Sequence, residues 1–160
     1  MIDSTLCFIL DKDGRCLMQR RCRPPHRGQW NAPGGKVQEG ETPTQACRRE
    51  VKEETGLSVQ VQAMGRLDTL DVVTGQAWRL YMFLSRQAQV TPVAGGEGEL
   101  AWLPLGEILS GGWEVVHNIP LVLPLLLQGV AVQGKFYYRD DYLERYDISL
   151  TSRGRGMPIS

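Results

Sequence analysis

The sequence has little of what marks several large classes of protein. Its 160 residues carry no formal net charge, because 18 Lys and Arg residues balance 18 Asp and Glu residues. There is therefore no overall positive field to attract duplex nucleic acid or an anionic membrane. The longest apolar runs, Leu6–Leu10 and Leu121–Leu127, fall well short of the roughly 18 residues needed to cross a bilayer. We expect no membrane partner and no duplex nucleic-acid partner.

Cysteine and histidine are also scarce. The four cysteines form no CxxC pair, and there are only two histidines, a pattern that disfavours a disulfide framework or a structural zinc site. The first residues, Met1–Ser4, lack the basic residues that begin a secretory signal. The sequence therefore predicts a cytoplasmic protein with reduced thiols.

The length and composition predict one globular domain. The chain is close to the common domain size of roughly 100–150 residues, and its hydrophobic and charged fractions of 42% and 22% are ordinary for a globular protein. We expect a single domain over residues 1–150. Residues 151–160, with two glycines and a proline, are predicted to form a C-terminal tail.

Short runs of β-favouring residues outnumber helical segments. The predicted strands are Thr5–Leu10, Arg15–Arg20, Leu57–Met64, Leu67–Val73, Ala77–Arg86, Ala101–Leu103, Lys135–Arg139 and Tyr142–Leu150. Residues Arg20–Pro33 are predicted to form a loop, Leu105–Leu109 a helical turn and Ile119–Gln128 a helix. Because a few helices interrupt the strands irregularly, the pattern predicts a mixed sheet flanked by helices.

One helix has unusually clear boundaries. Thr42 suits the N-cap, Pro43 suits the first helical position, and Gln45 completes a capping-box pattern. Gly56 suits the left-handed position that follows a helix. The sequence therefore predicts a helix between Thr42 and Gly56.

Three carboxylates share one face of this predicted helix. Glu50, Glu53 and Glu54 lie at i, i+3 and i+4, where like charges repel. They also lie near the helix C-terminus, where the macrodipole is unfavourable to negative charge. A bound hard cation such as Mg²⁺ would compensate, because it prefers oxygen ligands. On these three residues alone, a solvated acidic face is the simpler interpretation.

The residues around these carboxylates form a longer motif. It reads Gly35, five residues, Glu41, seven residues, then REVKEETGL over 49–57. This resembles the box of the Nudix family, G-x5-E-x7-R-E-U-x-E-E-x-G-U, where U is a bulky aliphatic residue, at every defined position. The resemblance implies an α/β fold of the Nudix type, an α/β/α sandwich around a mixed β-sheet.

The resemblance also implies a chemistry and the residues for it. In the family, water attacks a nucleoside diphosphate linked to another group, with Mg²⁺ as cofactor and Mn²⁺ as a possible substitute. Glu50 and Glu54 would be the leading metal ligands, Glu53 a further ligand or the base, and the Gly34 carbonyl another ligand. Arg49 and Glu41 would form a supporting pair at the catalytic centre.

Residues 29–42, QWNAPGGKVQEGET, are similar to the MutT-like subgroup that hydrolyses oxidised purine nucleoside triphosphates. This similarity implies a small nucleotide as substrate and an outlying metal ligand at Glu97, with Glu99 as the alternative. The implied substrate-binding residues are Asn31, Arg21, Arg20, Lys36, Trp78 and Asn118. Asn31 would read the base, because an amide both donates and accepts hydrogen bonds, and the arginines would bind phosphate.

The resemblance departs from the subgroup at the base-reading segment. The subgroup carries two adjacent aspartates there, whereas this sequence has Asn118 and Ile119. The expected reaction is release of pyrophosphate and a nucleoside monophosphate from a triphosphate such as 8-oxo-dGTP. Other nucleoside triphosphates, dinucleoside polyphosphates, ADP-ribose and capped RNA ends remain alternatives. A non-catalytic nucleotide-binding module and a prenyl diphosphate isomerase are alternative functions of another kind. The expected assembly is a monomer or a homodimer.

Overall fold

A computed structural model describes residues 1–87, 91–92 and 98–151. The strands are β1 (Ile2–Leu10), β2 (Arg15–Arg20), β3 (Trp30–Asn31), β4 (Gln62–Asp71), β5 (Ala77–Arg86), β6 (Leu100–Pro104), β7 (Val132–Arg139) and β8 (Tyr142–Leu150). The helices are α1 (Pro43–Thr55), α2 (Leu105–Ser110) and α3 (Ile119–Leu127). Apart from Thr151, the predicted tail over residues 151–160 lies outside the described residues.

The eight strands of the described residues belong to one mixed sheet. The strand order is β3-β2-β1-β5-β4-β7-β8. β6 lies off this order and pairs with β2 along the edge opposite β1. The pairs β1–β5 and β4–β7 are parallel, whereas β1–β2, β2–β3, β2–β6, β4–β5 and β7–β8 are antiparallel. The predicted mixed sheet with few helices is therefore confirmed.

The sheet is covered on both faces. Phe8 and Leu10 of β1 pack in a large apolar cluster that includes residues of α2 and α3. Cys7 and Ile9, which alternate with them, pack in a smaller cluster with Val51 of α1. Since successive strand residues point to opposite faces, the unbroken apolar run in β1 reflects burial on both sides. The result is the predicted α/β/α sandwich.

The predicted boundaries of α1 are confirmed. Thr42 Oγ1 accepts a hydrogen bond from Gln45 N at 3.1 Å, and the Gln45 side chain accepts one from Thr42 N at 2.9 Å. This reciprocal pair satisfies two amides at the helix start. Gly56 ends the helix in the left-handed conformation, with φ of 76°.

Two predictions about strands are wrong. The segments Leu57–Met64 and Leu67–Val73 are not two strands divided at Gly65; one strand, β4, runs through that glycine. Gly65 lies at a shift of register and has φ of 119°, and a Cβ there would overlap the carbonyl of Val132. The glycine therefore permits a bulge and a close approach of β7. It does not end the strand.

The predicted loop Arg20–Pro33 also contains a strand. Gln19 and Arg20 of β2 pair with Asn31 and Trp30 of β3. Such a two-residue strand has no periodicity of its own and forms only because β2 offers an edge. Among the described residues, no helix has the length and apolar character needed to span a membrane.

Candidate active site

A glycine turn lies between β1 and α1. Pro33 O accepts a hydrogen bond from Cys7 N at 2.8 Å, and Gly35 O accepts one from Thr5 N at 2.9 Å. β1 itself registers with β2 only at Ile9 and Leu10. Residues 33–35 therefore bond to the part of β1 that does not pair with β2. These hydrogen bonds hold the glycine turn beside β1 as a neighbouring strand would be held.

Two of the three predicted carboxylates face this turn. Glu54 is 6% exposed, and its Oε2 accepts a hydrogen bond from Gly34 N at 3.3 Å. Glu50 lies so close to Gly35 that a Cβ on that glycine would overlap its carboxylate. Helical spacing puts residues 50 and 54 on one face of α1, and the absence of side chains at 34 and 35 lets the turn approach that face.

Glu53, the third carboxylate, lies differently. Its side chain is 59% exposed, and its Oε2 is 3.3 Å from Arg49 Nη1. The same nitrogen donates to Glu50 Oε1 at 2.9 Å. Arg49 therefore compensates the repulsion between Glu50 and Glu53 that the helical spacing creates.

Arg49 also joins the helix to the loop before it. Its Nε and Nη2 donate to the two oxygens of Glu41 at 2.7 and 2.9 Å, and Nη2 donates to Lys36 O at 3.1 Å. A two-bond guanidinium–carboxylate pair fixes orientation as well as distance. The predicted pairing of Arg49 with Glu41 is present in this structure.

The electrostatics of this pair follow from its hydrogen bonds. The side-chain bond from Arg49 and the backbone bond from Gln38 N hold the carboxylate form of Glu41, which lowers its pKa from the usual value of 4.5 to about 2. The bond to Glu41 likewise raises the pKa of Arg49 above its usual value. Both groups remain charged throughout the physiological range.

This low pKa predicts a pH dependence of stability. Because Glu41 holds its proton less tightly in the folded chain, the ionised pair stabilises the fold above about pH 4.5, and this contribution is lost as the pH falls towards 2. The melting-temperature difference between the wild type and Glu41→Gln should therefore shrink as the pH is lowered through that range. Thermal unfolding at a series of pH values measures it, and a constant difference would contradict the assignment.

The side chains suit a hard divalent cation in their chemistry. Carboxylates of Glu50 and Glu54, with a peptide carbonyl at Gly34, are oxygen donors of the kind that Mg²⁺ and Mn²⁺ prefer. The two glycines leave room for a close approach that a Cβ would obstruct. Over residues 1–87, 91–92 and 98–151, however, no three His, Cys, Asp or Glu side chains are already grouped for metal binding. One reason is that Glu53 turns towards Arg49.

A cavity of about 840 Å³ lies beside these carboxylates. Its lining includes Gly34, Glu50 and Glu54, but not Glu53. Five predicted substrate-binding residues also line it. They are Asn31, Arg21, Lys36, Trp78 and Asn118. Residues from the glycine turn, α1, β3, β5 and the start of α3 thus meet around one space of a size typical for small-molecule sites.

Three further predicted residues, Arg20, Glu99 and Glu97, lie either outside this cavity or outside the described residues. Arg20 does not line the cavity; its Nη1 is 3.6 Å from Glu99 Oε1, and both side chains are more than half exposed. A contact between Arg20 and substrate is therefore not part of this arrangement. Glu97 lies outside the described residues.

Three other lining residues have no predictive signal in the sequence. Gln19, Tyr138 and Asp141 come from β2, β7 and the β7–β8 turn. His26 N donates to Asp141 Oδ1 at 3.0 Å, so the segment between β2 and β3 is joined to that turn. Burial lowers the pKa of His26 to about 4, which keeps its ring neutral. No short-range signal in the sequence brings these segments together.

Comparisons with known proteins find relatives over most of the chain. The family model described as NUDIX domain matches residues 2–120. A relative from Mus musculus named "Oxidized purine nucleoside triphosphate hydrolase" is 32% identical over 137 residues, which cover 85% of this chain and 86% of the relative. A relative of the same name from Danio rerio is 31% identical over 137 residues, covering 84% of this chain and 85% of the relative.

Solved structures show the same fold. The crystal structure of a MutT protein from Bacillus halodurans matches with a TM-score of 0.78 and 25% identity. The match covers 92% of this chain and 97% of that one. A MutT protein from Methanosarcina mazei matches with a TM-score of 0.69 over 79% of this chain and 93% of that one, at 24% identity, which speaks for the fold alone.

Proposed function

The chain belongs to the Nudix family of hydrolases, and on that premise we propose that it is a Mg²⁺-dependent nucleoside triphosphate pyrophosphohydrolase. Its proposed substrates are purine nucleoside triphosphates, above all oxidised ones such as 8-oxo-dGTP, and Mn²⁺ would replace Mg²⁺. One observation carries the proposal. The carboxylates of Glu50 and Glu54 line the same cavity as Asn31, Asn118 and Trp78.

The carboxylate part of the cavity suits a phosphate chain with its cation. Glu50, Glu54 and the Gly34 carbonyl would hold the ion, with Glu53 or the outlying Glu97 as further ligands and Glu99 as the alternative to Glu97. A bound divalent cation neutralises phosphate oxygens and makes a nearby water a better nucleophile. Arg49 and Glu41 would keep the glycine turn and α1 in register, because their hydrogen bonds span both segments.

The cationic lining residues suit the phosphates themselves. Arg21 and Lys36 line the cavity, and their charges would favour a polyanion. Lys36 Nζ lies 5.9 Å from the centre of the Trp78 ring. A positive charge and an aromatic ring are therefore neighbours in the lining of the cavity. Trp78 would pack on the base, and Asn31 would hydrogen-bond to it.

The reaction is a hydrolysis between the α and β phosphates. The oxygen of water would bond to phosphorus, the bridging P–O bond would break, and a monophosphate and pyrophosphate would leave. Glu53 is proposed as a metal ligand or as the base that takes the water's proton. Because the Glu53 carboxylate contacts Arg49, its side chain would rotate away from Arg49 to take either role. Its exposure to solvent leaves room for this rotation.

The name of the mouse relative favours oxidised purines, because that protein is an oxidized purine nucleoside triphosphate hydrolase by name. The subgroup's acidic pair is replaced here by Asn118 and Ile119, so base preference is the finer part of the proposal. A cytoplasmic location and a monomeric or homodimeric state are further parts of it.

A substrate panel tests the proposal. Purified protein with Mg²⁺ should release pyrophosphate from 8-oxo-dGTP with a higher kcat/KM than from dCTP or dTTP, and chelation by EDTA should abolish turnover. Product analysis by ion-exchange chromatography separates monophosphate plus pyrophosphate from diphosphate plus phosphate. Preferred hydrolysis of ADP-ribose, dinucleoside polyphosphates or capped RNA would replace the substrate assignment. Binding without hydrolysis of any of these compounds would indicate a nucleotide-binding module.

A further inference from the structure

Three buried polar side chains that line the cavity have unused hydrogen-bonding capacity. Gln19 Nε2 and Asn118 Oδ1 have no partner among the described residues, and the Tyr138 hydroxyl, which lies near the backbone N–H of Asn118, has no acceptor there for its own proton. These residues are 9%, 2% and 6% exposed. Leaving a buried polar atom unpaired is unfavourable by an amount comparable to a lost hydrogen bond. Three such atoms around one cavity indicate that its occupant supplies the missing partners.

These residues adjoin the proposed base-binding residues. Gln19 of β2 is directly opposite Asn31 of β3 in the sheet register. Tyr138 is the penultimate residue of β7, and Asn118 is the N-cap of α3. Asn31 Oδ1 accepts a hydrogen bond from Ala32 N at 2.9 Å, which fixes the orientation of the amide and leaves its nitrogen free to donate to a ligand.

The three atoms require a base edge with two acceptors and one donor. A glutamine nitrogen and a tyrosine hydroxyl donate hydrogen bonds, and an asparagine oxygen accepts them. Burial raises the pKa of Tyr138 above its usual value, so its hydroxyl keeps its proton. Guanine presents O6 and N7 as acceptors and N1–H as a donor. In 8-oxoguanine, where N7 carries a proton, O6 and O8 are the acceptors and N1–H and N7–H are the donors, so both 6-oxopurines match two donors and one acceptor. Adenine offers the same count through N1, N7 and its amino group, and the 6-oxopurine is chosen because the proposed substrate, 8-oxo-dGTP, contains one.

We propose that Gln19 and Tyr138, together with Asn118, select a 6-oxopurine nucleotide by hydrogen bonding to its base. This inference rests on the proposed function, because it assigns a base to the same cavity. The proposal adds Gln19 and Tyr138, which the family resemblance did not imply, as residues that determine specificity. Amide and hydroxyl groups would then recognise the base here, whereas the resembled subgroup uses carboxylates.

The test compares variants that remove only the polar atoms. Tyr138→Phe and Gln19→Met are made beside matched controls, Tyr142→Phe on the exposed part of β8 and Gln60→Met at an exposed position. For each protein, kcat/KM is measured on dGTP, 8-oxo-dGTP, dATP, dCTP and a deoxyribose triphosphate that lacks a base.

We expect each cavity variant to lose about tenfold in kcat/KM on dGTP and 8-oxo-dGTP, since one hydrogen bond is removed. The loss on the base-free triphosphate should be at most twofold, and the controls should match the wild type. Equal losses on every substrate, or none, would overturn the assignment of these residues. A wild-type preference for dATP or dCTP would overturn the choice of a 6-oxopurine.

Two further measurements separate this inference from its premise. Binding of guanosine and adenosine is followed by calorimetry without metal, so base selection is measured even if no triphosphate is hydrolysed. Weaker guanosine binding by Tyr138→Phe and Gln19→Met supports the inference, whereas unchanged binding refutes it.

The melting temperature of the ligand-free variants should stay equal or rise. A fall with unchanged selectivity would show instead that these atoms bind structural water.

Discussion

Replacing Glu50 by glutamine is expected to lower kcat/KM for the triphosphate substrate by about 10² or more. Glutamine has nearly the same size but no negative charge, so it is a weak ligand for a hard cation. Glu50 lines the cavity beside Gly35, where the proposed cation would meet the phosphates. The measurement is steady-state hydrolysis at a series of Mg²⁺ concentrations.

The loss should be separable from unfolding. Glu50 accepts a hydrogen bond from Arg49, and the amide oxygen of glutamine can accept the same bond. We therefore expect the melting temperature of Glu50→Gln to change little. Glu107→Gln, at an exposed position of α2, is the control and should keep activity within about twofold. Wild-type turnover by Glu50→Gln at every Mg²⁺ concentration would reject the role of Glu50.

Replacing Gly35 by alanine is expected to lower kcat/KM by a similar amount, about 10². The new Cβ would overlap the Glu50 carboxylate, so that side chain must move away from the turn. A displacement of about 1 Å in a catalytic group can reduce the rate by this factor. Because the end of a side chain moves more easily than backbone, stability should change little.

Gly34→Ala is the matched comparison. Its Cβ would overlap the backbone carbonyl of Thr5 in β1, which cannot move without displacing a strand in the sheet. We therefore expect this variant to lose roughly 1–3 kcal/mol of stability. Melting temperature and kcat/KM are measured for both variants. If Gly35→Ala retains full activity and full stability, the position of Glu50 against the turn does not matter for catalysis.

The features that were correctly predicted from sequence are mostly local. The capping box of Thr42 and Gln45 and the left-handed Gly56 define α1 through contacts within four residues. The Nudix motif then places Glu50 and Glu54 on one helical face, and Arg49 bonds to Glu41 as the motif implies. These interactions depend on helical geometry and short loops, which a sequence encodes directly.

The errors concern contacts between distant segments. The sequence around Gly65 predicts the end of a strand, because the close approach of this glycine to Val132 of β7 has no signature in the neighbouring residues. Trp30 and Asn31 become a strand only through pairing with β2. In both cases a partner far along the chain overrides local preference.

The candidate site likewise combines features that the local sequence determines with features that only the tertiary structure determines. The amino-acid order alone is enough to establish the family, the capped helix and the carboxylates that share one face of that helix, because these depend on neighbours in the chain. The order of the strands determines the rest. It brings Gln19 of β2 and Tyr138 of β7 to one cavity with Asn118, since long-range backbone pairing, rather than any local pattern, sets which side chains share that space.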